Sequence, residues 1–219
     1  FVCQECGAQS PKWLGRCAEC GAWNSLVEER AEPAVAAANG GNRYAQFSST
    51  GAAKLYADVE TASGLRLSTG NDEFDRVVGG GVVPGSLVLL GGEPGIGKST
   101  LLLQAAAHFA RAVGPVLYAS GEESEHQIKN RGDRLGVGAA PLYLLAETCI
   151  ERILEEMARL KPALVVVDSV QTLHTAALAS APGSVGQVRE SVALLIGRAT
   201  ASGVAWVFLW EVTKRGGLA

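Results

Sequence analysis

The sequence lacks three features that would narrow its class at once: an apolar run long enough to cross a bilayer, a secretory leader, and a large net charge. Its first residues, Phe1-Val2-Cys3, are not the charged and then apolar segment of a signal peptide. The formal net charge is −3 over 219 residues, so no chain-wide basic field indicates nucleic acid, and any such binding would depend on local patches. We therefore expect a cytoplasmic protein without a membrane partner.

Cysteine is nearly absent beyond residue 20, because four of the five cysteines precede it. They form two pairs, Cys3-x-x-Cys6 and Cys17-x-x-Cys20, and each pair is followed by a glycine. Two such pairs in a reducing compartment are typical of one tetrahedral Zn²⁺, whereas a redox-active Cys-x-x-Cys usually occurs singly. We predict that residues 1–30 are a small zinc-binding module. Three apolar side chains are expected to cover the metal site: Trp13, Leu14 and Trp23.

The rest of the chain divides into a linker and a larger domain. Residues 31–56 are rich in alanine and glycine and show no periodicity, which is typical of a flexible linker. In residues 57–219 apolar strands alternate with helical patterns, which predicts an α/β domain whose mostly parallel sheet is covered on both faces. Thr69 or Asn71 is expected to cap a first short helix, and Ser124 a later one. Ligands of such sheets bind at the carboxyl ends of the strands.

One stretch of this domain predicts nucleotide binding. An apolar strand runs into Gly92-x-x-x-x-Gly97-Lys98-Ser99 and then into an apolar helix. This is the phosphate-loop pattern, in which backbone N–H groups and a helix N-terminus surround the phosphates. Lys98 is expected to reach the terminal phosphates, and the Ser99 hydroxyl to complete the shell of a bound Mg²⁺. The predicted nucleotide contacts are Gly92, Glu93, Pro94, Gly95, Ile96, Gly97, Lys98, Ser99 and Thr100.

Acidic residues end two other predicted strands. Asp168 follows a buried run of valines, the place where phosphate-loop proteins hold Mg²⁺. Glu122 and Glu123 end an earlier strand, so either could position or deprotonate a water that attacks the terminal phosphate. We prefer Glu122 as the catalytic residue.

Two nucleotide-binding classes fit poorly. GTPases carry an Asn-Lys-x-Asp segment that reads guanine, and the sequence contains none. Small-molecule kinases usually place an arginine-bearing lid over the phosphates, and the region from Ser169 to Gln187 holds no arginine.

The motifs, taken together and in order, resemble the bacterial RadA (also called Sms) family of DNA repair proteins. The resemblance extends over nearly the whole chain. It is carried by the cysteine pairs and by four further stretches: Gly79–Ser86, Gly91–Thr100, Ser120–Ser124 and Val167–Thr172. It implies a RecA-like ATPase core that hydrolyses ATP, binds single-stranded DNA and promotes branch migration of recombination intermediates. It also implies a homo-hexameric ring in the full-length protein and a RecA-type recombinase as a further partner. By this similarity the phosphate loop holds ATP, Asp168 serves Mg²⁺, Glu122 is the catalytic glutamate, and the four cysteines are the zinc ligands.

The sequence also departs from that family. Members continue with a Lys-Asn-Arg-Phe-Gly segment and a protease-like domain, so we expect an amino-terminal fragment. Near its end the chain has Trp210-Glu211-Val-Thr-Lys-Arg215, where the family usually has Gly-His-Val-Thr-Lys-Glu.

The DNA contacts are the least specific prediction. In ring-shaped RecA-like motors, DNA passes over loops that follow the third and fourth core strands. By that analogy the loop Thr172–Gly186 is a candidate, together with Gln187, Arg189, Lys214 and Arg215. Two alternatives remain open at this point. One is a regulatory ATPase switch that acts on a protein partner, and the other is a fragment that binds zinc and nucleotide without turnover.

Overall fold

The computed structural model describes residues 1–8, 10–27, 55–58, 65–178 and 180–212. All but the last two residues of the predicted linker, and also Lys214 and Arg215, lie outside this part of the chain. None of the described helices combines the length and the hydropathy that a bilayer span needs.

The larger domain is built on one five-stranded parallel sheet. Two short antiparallel strands near the amino terminus, Val2–Cys3 (β1) and Leu26–Val27 (β2), form a separate ribbon. The strands of the large sheet are Leu87–Gly92 (β3), Val116–Ser120 (β4), Leu142–Ala146 (β5), Leu164–Asp168 (β6) and Ala205–Glu211 (β7). Their order across the sheet is β3-β7-β6-β4-β5, and every neighbouring pair is parallel. The predicted α/β class with a mostly parallel sheet is therefore confirmed.

Helices connect the strands. They are Asp72–Val77 (α1), Lys98–Ala112 (α2), Glu125–Arg134 (α3), Ile150–Leu160 (α4) and Val185–Ser202 (α5). Short 3-10 turns occupy Tyr56–Asp58 and Val170–Thr172. Ser124 caps α3 as predicted, and its partner Gln127 completes a reciprocal capping box.

Two apolar clusters cover the two faces of the sheet. Strands β4 and β6 are buried at all five positions, so their apolar residues serve both clusters in alternation. Tyr118 and Val166 belong to the cluster that includes Phe109 of α2. Leu117 and Val165 belong to the opposite cluster, which includes residues of α4 and α5. This double covering explains why the sequence of these strands is apolar without a period of two.

The start of α1 separates the two predicted caps. Asn71 is the cap, because its side chain accepts a hydrogen bond of 2.9 Å from the N–H of Phe74. Thr69 binds the buried carboxylate of Asp75 instead, through its N–H at 2.9 Å and its hydroxyl at 2.8 Å. Ser68 donates a third hydrogen bond to this carboxylate at 2.7 Å. Burial by itself would raise the pKa of Asp75, but these hydrogen bonds outweigh it and hold the pKa below its usual value.

Candidate nucleotide site and metal centre

The ribbon brings its four cysteines to one point. All four Sγ atoms lie within 4.8 Å of one another, with 3.6 Å between Cys3 and Cys20 and 3.7 Å between Cys6 and Cys17. Thiolates at about 2.3 Å from a tetrahedral Zn²⁺ are about 3.8 Å apart, so the donor set fits this ion without rearrangement. The module is thus a zinc ribbon with four cysteine ligands, as the spacing predicted.

The two halves of the metal centre repeat one backbone motif. The N–H of Gly7 bonds to the carbonyl of Cys3, and the N–H of Gly21 bonds in the same way to the carbonyl of Cys17. Both glycines have φ near +74°, a conformation that side chains disfavour. Backbone N–H groups and Ser25 surround the sulfur of Cys3, so the pKa of that thiol is lowered to about 6 although its burial alone would raise it. A low pKa favours the thiolate, which is the form that binds a metal.

The predicted cover of the metal site is wrong in two of its three residues. Trp13 is 55% exposed and Trp23 is 72% exposed, and the Trp23 ring instead lies under the guanidinium of Arg16 at 5.7 Å. A ribbon of this size has no interior large enough for an indole. Leu14 packs against the small cluster as predicted, beside Leu26 and the buried cysteines.

The phosphate loop has the predicted connection from strand to helix. Strand β3 ends at Gly92 and α2 begins at Lys98, with Gly95 and Gly97 at φ of 76° and 101° between them. No side chain caps α2, so its first turn presents backbone N–H groups, and Ser99 and Thr100 lie in that turn. A Cβ placed on Gly95 or Gly97 would meet nothing within 4 Å. The loop is therefore open on its outer side, where a phosphate would approach.

Asp168 lies at the carboxyl end of β6, on the same edge of the sheet as the loop. Its side chain is buried, and the hydroxyl of Tyr118 donates to its Oδ2 at 2.6 Å. Tyr118 is buried beside this carboxylate, and both burial and the negative charge raise its pKa well above the usual value, so it remains a donor. No pattern in the sequence indicated this tyrosine, because the two residues belong to different strands.

The two glutamates after β4 have different surroundings. Glu123 forms an ion pair of 2.6 Å with Arg131 of α3, whose side chain is 15% exposed. Glu122 is exposed and accepts a hydrogen bond from the hydroxyl of Ser169, the residue after Asp168. The hydroxyl of Ser120 accepts from the N–H groups of both glutamates and fixes this turn. Only Glu122 of the two is thus open to a water molecule.

The candidate DNA residues do not form one surface. Gln187 is 1% exposed, and its amide bonds to the backbone at Thr175, Leu178 and Ser180. In this conformation it shapes the loop before α5 and is closed to a DNA strand, contrary to expectation. Arg189 is exposed on α5, with its guanidinium beside Gly7 of the ribbon.

Glu211 contacts the loop from the end of β7. Its carboxylate lies 3.3 Å from the ammonium of Lys98, which also donates to the carbonyl of Glu93 at 2.7 Å. The amide of Gln171 bonds to the backbone of Glu211 at both its N–H and its carbonyl. Glu211 is atypical already in the sequence, but the sequence does not indicate what it contacts.

Comparison with known proteins agrees with this geometry. A family model described as a rubredoxin metal binding domain matches residues 1–28, and one described as an AAA domain matches residues 59–216. The chain is 48% identical over 223 residues to DNA repair protein RadA of Bacillus subtilis, 48% over 219 residues to that of Pseudomonas aeruginosa, and 47% over 221 residues to that of Escherichia coli. Each match covers the entire chain and 48% of the relative, so the chain spans about half the length of these proteins.

Proposed function

The chain belongs to the family of AAA-domain proteins that includes the bacterial DNA repair proteins named RadA, and on this basis we propose that it is a DNA-dependent ATPase of recombinational repair. The observation that carries the proposal is the meeting of three groups at one edge of the sheet. These groups are the phosphate loop with Lys98, the carboxylate of Asp168 and the exposed carboxylate of Glu122. They are the parts that phosphate-loop hydrolases use.

ATP lies along the loop from Gly92 to Thr100. The N–H groups of the first turn of α2 bind phosphate oxygens, and Lys98 neutralises the terminal phosphates. Ser99 and Asp168 are placed to hold Mg²⁺, which would neutralise charge on the β- and γ-phosphates. Tyr118 fixes the orientation of Asp168 through its hydrogen bond.

Glu122 is the general base. It takes a proton from water as the water oxygen attacks the γ-phosphorus, the bond from that phosphorus to the β–γ bridging oxygen breaks, and ADP and inorganic phosphate result. Ser169 holds the carboxylate in place through its hydroxyl. The ion pair of Glu123 with Arg131 assigns that neighbour a structural role.

The remaining parts of the proposal follow the family. The full-length protein acts in the cytoplasm as a homo-hexameric ring that binds single-stranded DNA, promotes branch migration and works beside a RecA-type recombinase. Arg189 is the described residue that we assign to DNA, together with Lys214 and Arg215 beyond the described part. Zn²⁺ is the metal of the ribbon, because four thiolates at these distances suit it.

Hydrolysis of ATP with and without single-stranded DNA tests the proposal. Lys98→Ala should abolish hydrolysis, and Glu122→Gln should lower kcat by about 100-fold or more while ATP still binds. Glu123→Gln decides between the two glutamates. If it, and not Glu122→Gln, removes turnover, the assignment of the base is reversed.

The DNA arm of the same assay separates the motor from a regulatory switch. Stimulation by single-stranded DNA that weakens steeply as salt rises supports backbone contacts to DNA. Turnover that ignores DNA and responds to a protein partner would contradict the proposed function and favour the switch.

A further inference from the structure

Glu211 occupies a place at the sheet edge where a carboxylate affects the nucleotide directly. Strand β7 lies between β3 and β6, and the register pairs Glu211 with Gly92, the first residue of the phosphate loop. Its side chain therefore projects from the strand that separates the loop from Asp168.

The contact with Lys98 is sheltered from water. The side chain of Lys98 is 6% exposed and that of Glu211 is 25% exposed, so solvent screens their attraction less than it screens a surface pair. Together with the carbonyl of Glu93, the carboxylate fills the region around the ammonium. A terminal phosphate that bound Lys98 would have to replace Glu211 or share the ammonium with it.

The backbone of Glu211 cannot move away freely. The side-chain amide of Gln171 accepts from its N–H at 2.9 Å and donates to its carbonyl at 2.8 Å. Gln171 lies in the 3-10 turn that follows β6 and precedes the loop 172–186. The carboxylate can therefore leave Lys98 by rotation of its side chain, or by a shift of this turn that carries the end of β7 with it.

We propose, on the basis of the proposed function, that Glu211 determines nucleotide specificity by selecting against the third phosphate. Its negative charge pairs with Lys98 and repels the γ-phosphate of ATP, whereas the shorter ADP leaves the carboxylate in place. A repulsive group of this kind discriminates between ligands that share all other contacts. The site therefore favours ADP more than the same site with a neutral residue at this position.

Isothermal titration calorimetry with the slowly hydrolysed analogue ATPγS and with ADP, both with Mg²⁺, tests this inference. Glu211→Gln keeps the size of the side chain and removes its charge, so it should raise the affinity for ATPγS relative to ADP by about tenfold or more. Glu93→Gln removes the same charge from the exposed side of the loop and should change that ratio much less. Glu211→Ala serves as a second variant if the glutamine variant is unstable.

The outcomes distinguish this inference from the function beneath it. An unchanged or lowered ratio in the Glu211 variants, or an equal rise in Glu93→Gln, would overturn the specificity role while the wild-type chain still binds nucleotide. Failure of the folded wild-type chain to bind either nucleotide would overturn the proposed function and this inference with it.

Discussion

The cysteine ribbon (residues 1–27) and the α/β core (residues 65–212) differ in how much apolar surface each can remove from water. The buried cluster of the ribbon consists of Cys3, Cys17 and Leu26. The core buries two extended clusters, one on each face of its sheet. Apolar burial at about 25 cal/mol per Å² can offset the chain entropy of the core but not that of so small a ribbon.

The comparison teaches that the two regions depend on different chemistry for their fold. The ribbon needs thiolate ligands and a metal, because a metal bound only by the folded form adds its binding free energy to folding. The core depends on close packing, which tolerates no loss of volume without a cost. Changes aimed at one region should therefore leave the other intact, and the following predictions test this independence.

Removal of the metal should have the largest effect. Chelation, or Cys3→Ser, should unfold the ribbon completely and leave the melting of the core unchanged, since no apolar interior remains to hold residues 1–27. Limited proteolysis with mass spectrometry locates the cleaved region, and metal analysis follows the ion. Cys149→Ser is the control, because this cysteine lies at the start of α4 and should leave the metal content unchanged. Cooperative loss of the core on chelation would contradict the independence of the two regions.

Phe109→Ala should have the opposite selectivity. Phe109 of α2 is fully buried beneath the sheet, and deleting its ring should lower the free energy of unfolding of the core by about 3–5 kcal/mol. Urea denaturation measures the loss, and the metal content should stay at the wild-type level. Val113→Ala at the end of the same helix is 39% exposed and should cost much less. Loss of metal in Phe109→Ala would show that the ribbon depends on the core.

Local patterns were sufficient to predict most of the elements. The alternation of apolar strands with helices, the capping serine before α3 and the phosphate loop each depend on neighbours in the sequence. The cysteine spacing likewise determined the metal centre. The cover of that centre was predicted wrongly, because apolar character alone does not show whether a small module has room for Trp13 and Trp23.

Contacts between distant elements could not be derived from the sequence. Lys98 and Glu211 are 113 residues apart, and Tyr118 and Asp168 are 50 residues apart. Each pair meets because β7 lies between β3 and β6, and because β4 lies beside β6, an order that alternating strands and helices do not specify. The prediction for Gln187 failed for the same reason, since its burial depends on how the preceding loop folds back over it.

Asp75→Asn should have a smaller and pH-dependent effect within the core. The variant replaces an acceptor of three donors with an amide that cannot accept from all of them, which should cost about 1–3 kcal/mol near neutral pH. Because the folded pKa of Asp75 is below its unfolded value of about 3.9, the carboxylate stabilises the fold above that pH. This stabilisation is lost as the pH falls through the folded pKa. Urea titrations of both proteins from pH 7 to pH 3 should therefore show a gap that narrows in acid, and a constant gap would contradict the role of the charge.

Glu73→Gln, two residues away on the same helix, should have the smallest effect. Glu73 pairs with Arg76 at 2.6 Å, and this pair lowers the pKa of Glu73, but both side chains are 71% exposed. Water and salt screen such a pair, and the order imposed on two long side chains offsets what attraction is left. The urea midpoint of the variant should equal that of the wild-type chain within error at every salt concentration. A loss as large as that of Asp75→Asn would mean that exposed charge, and not burial with hydrogen bonds, stabilises this end of the core.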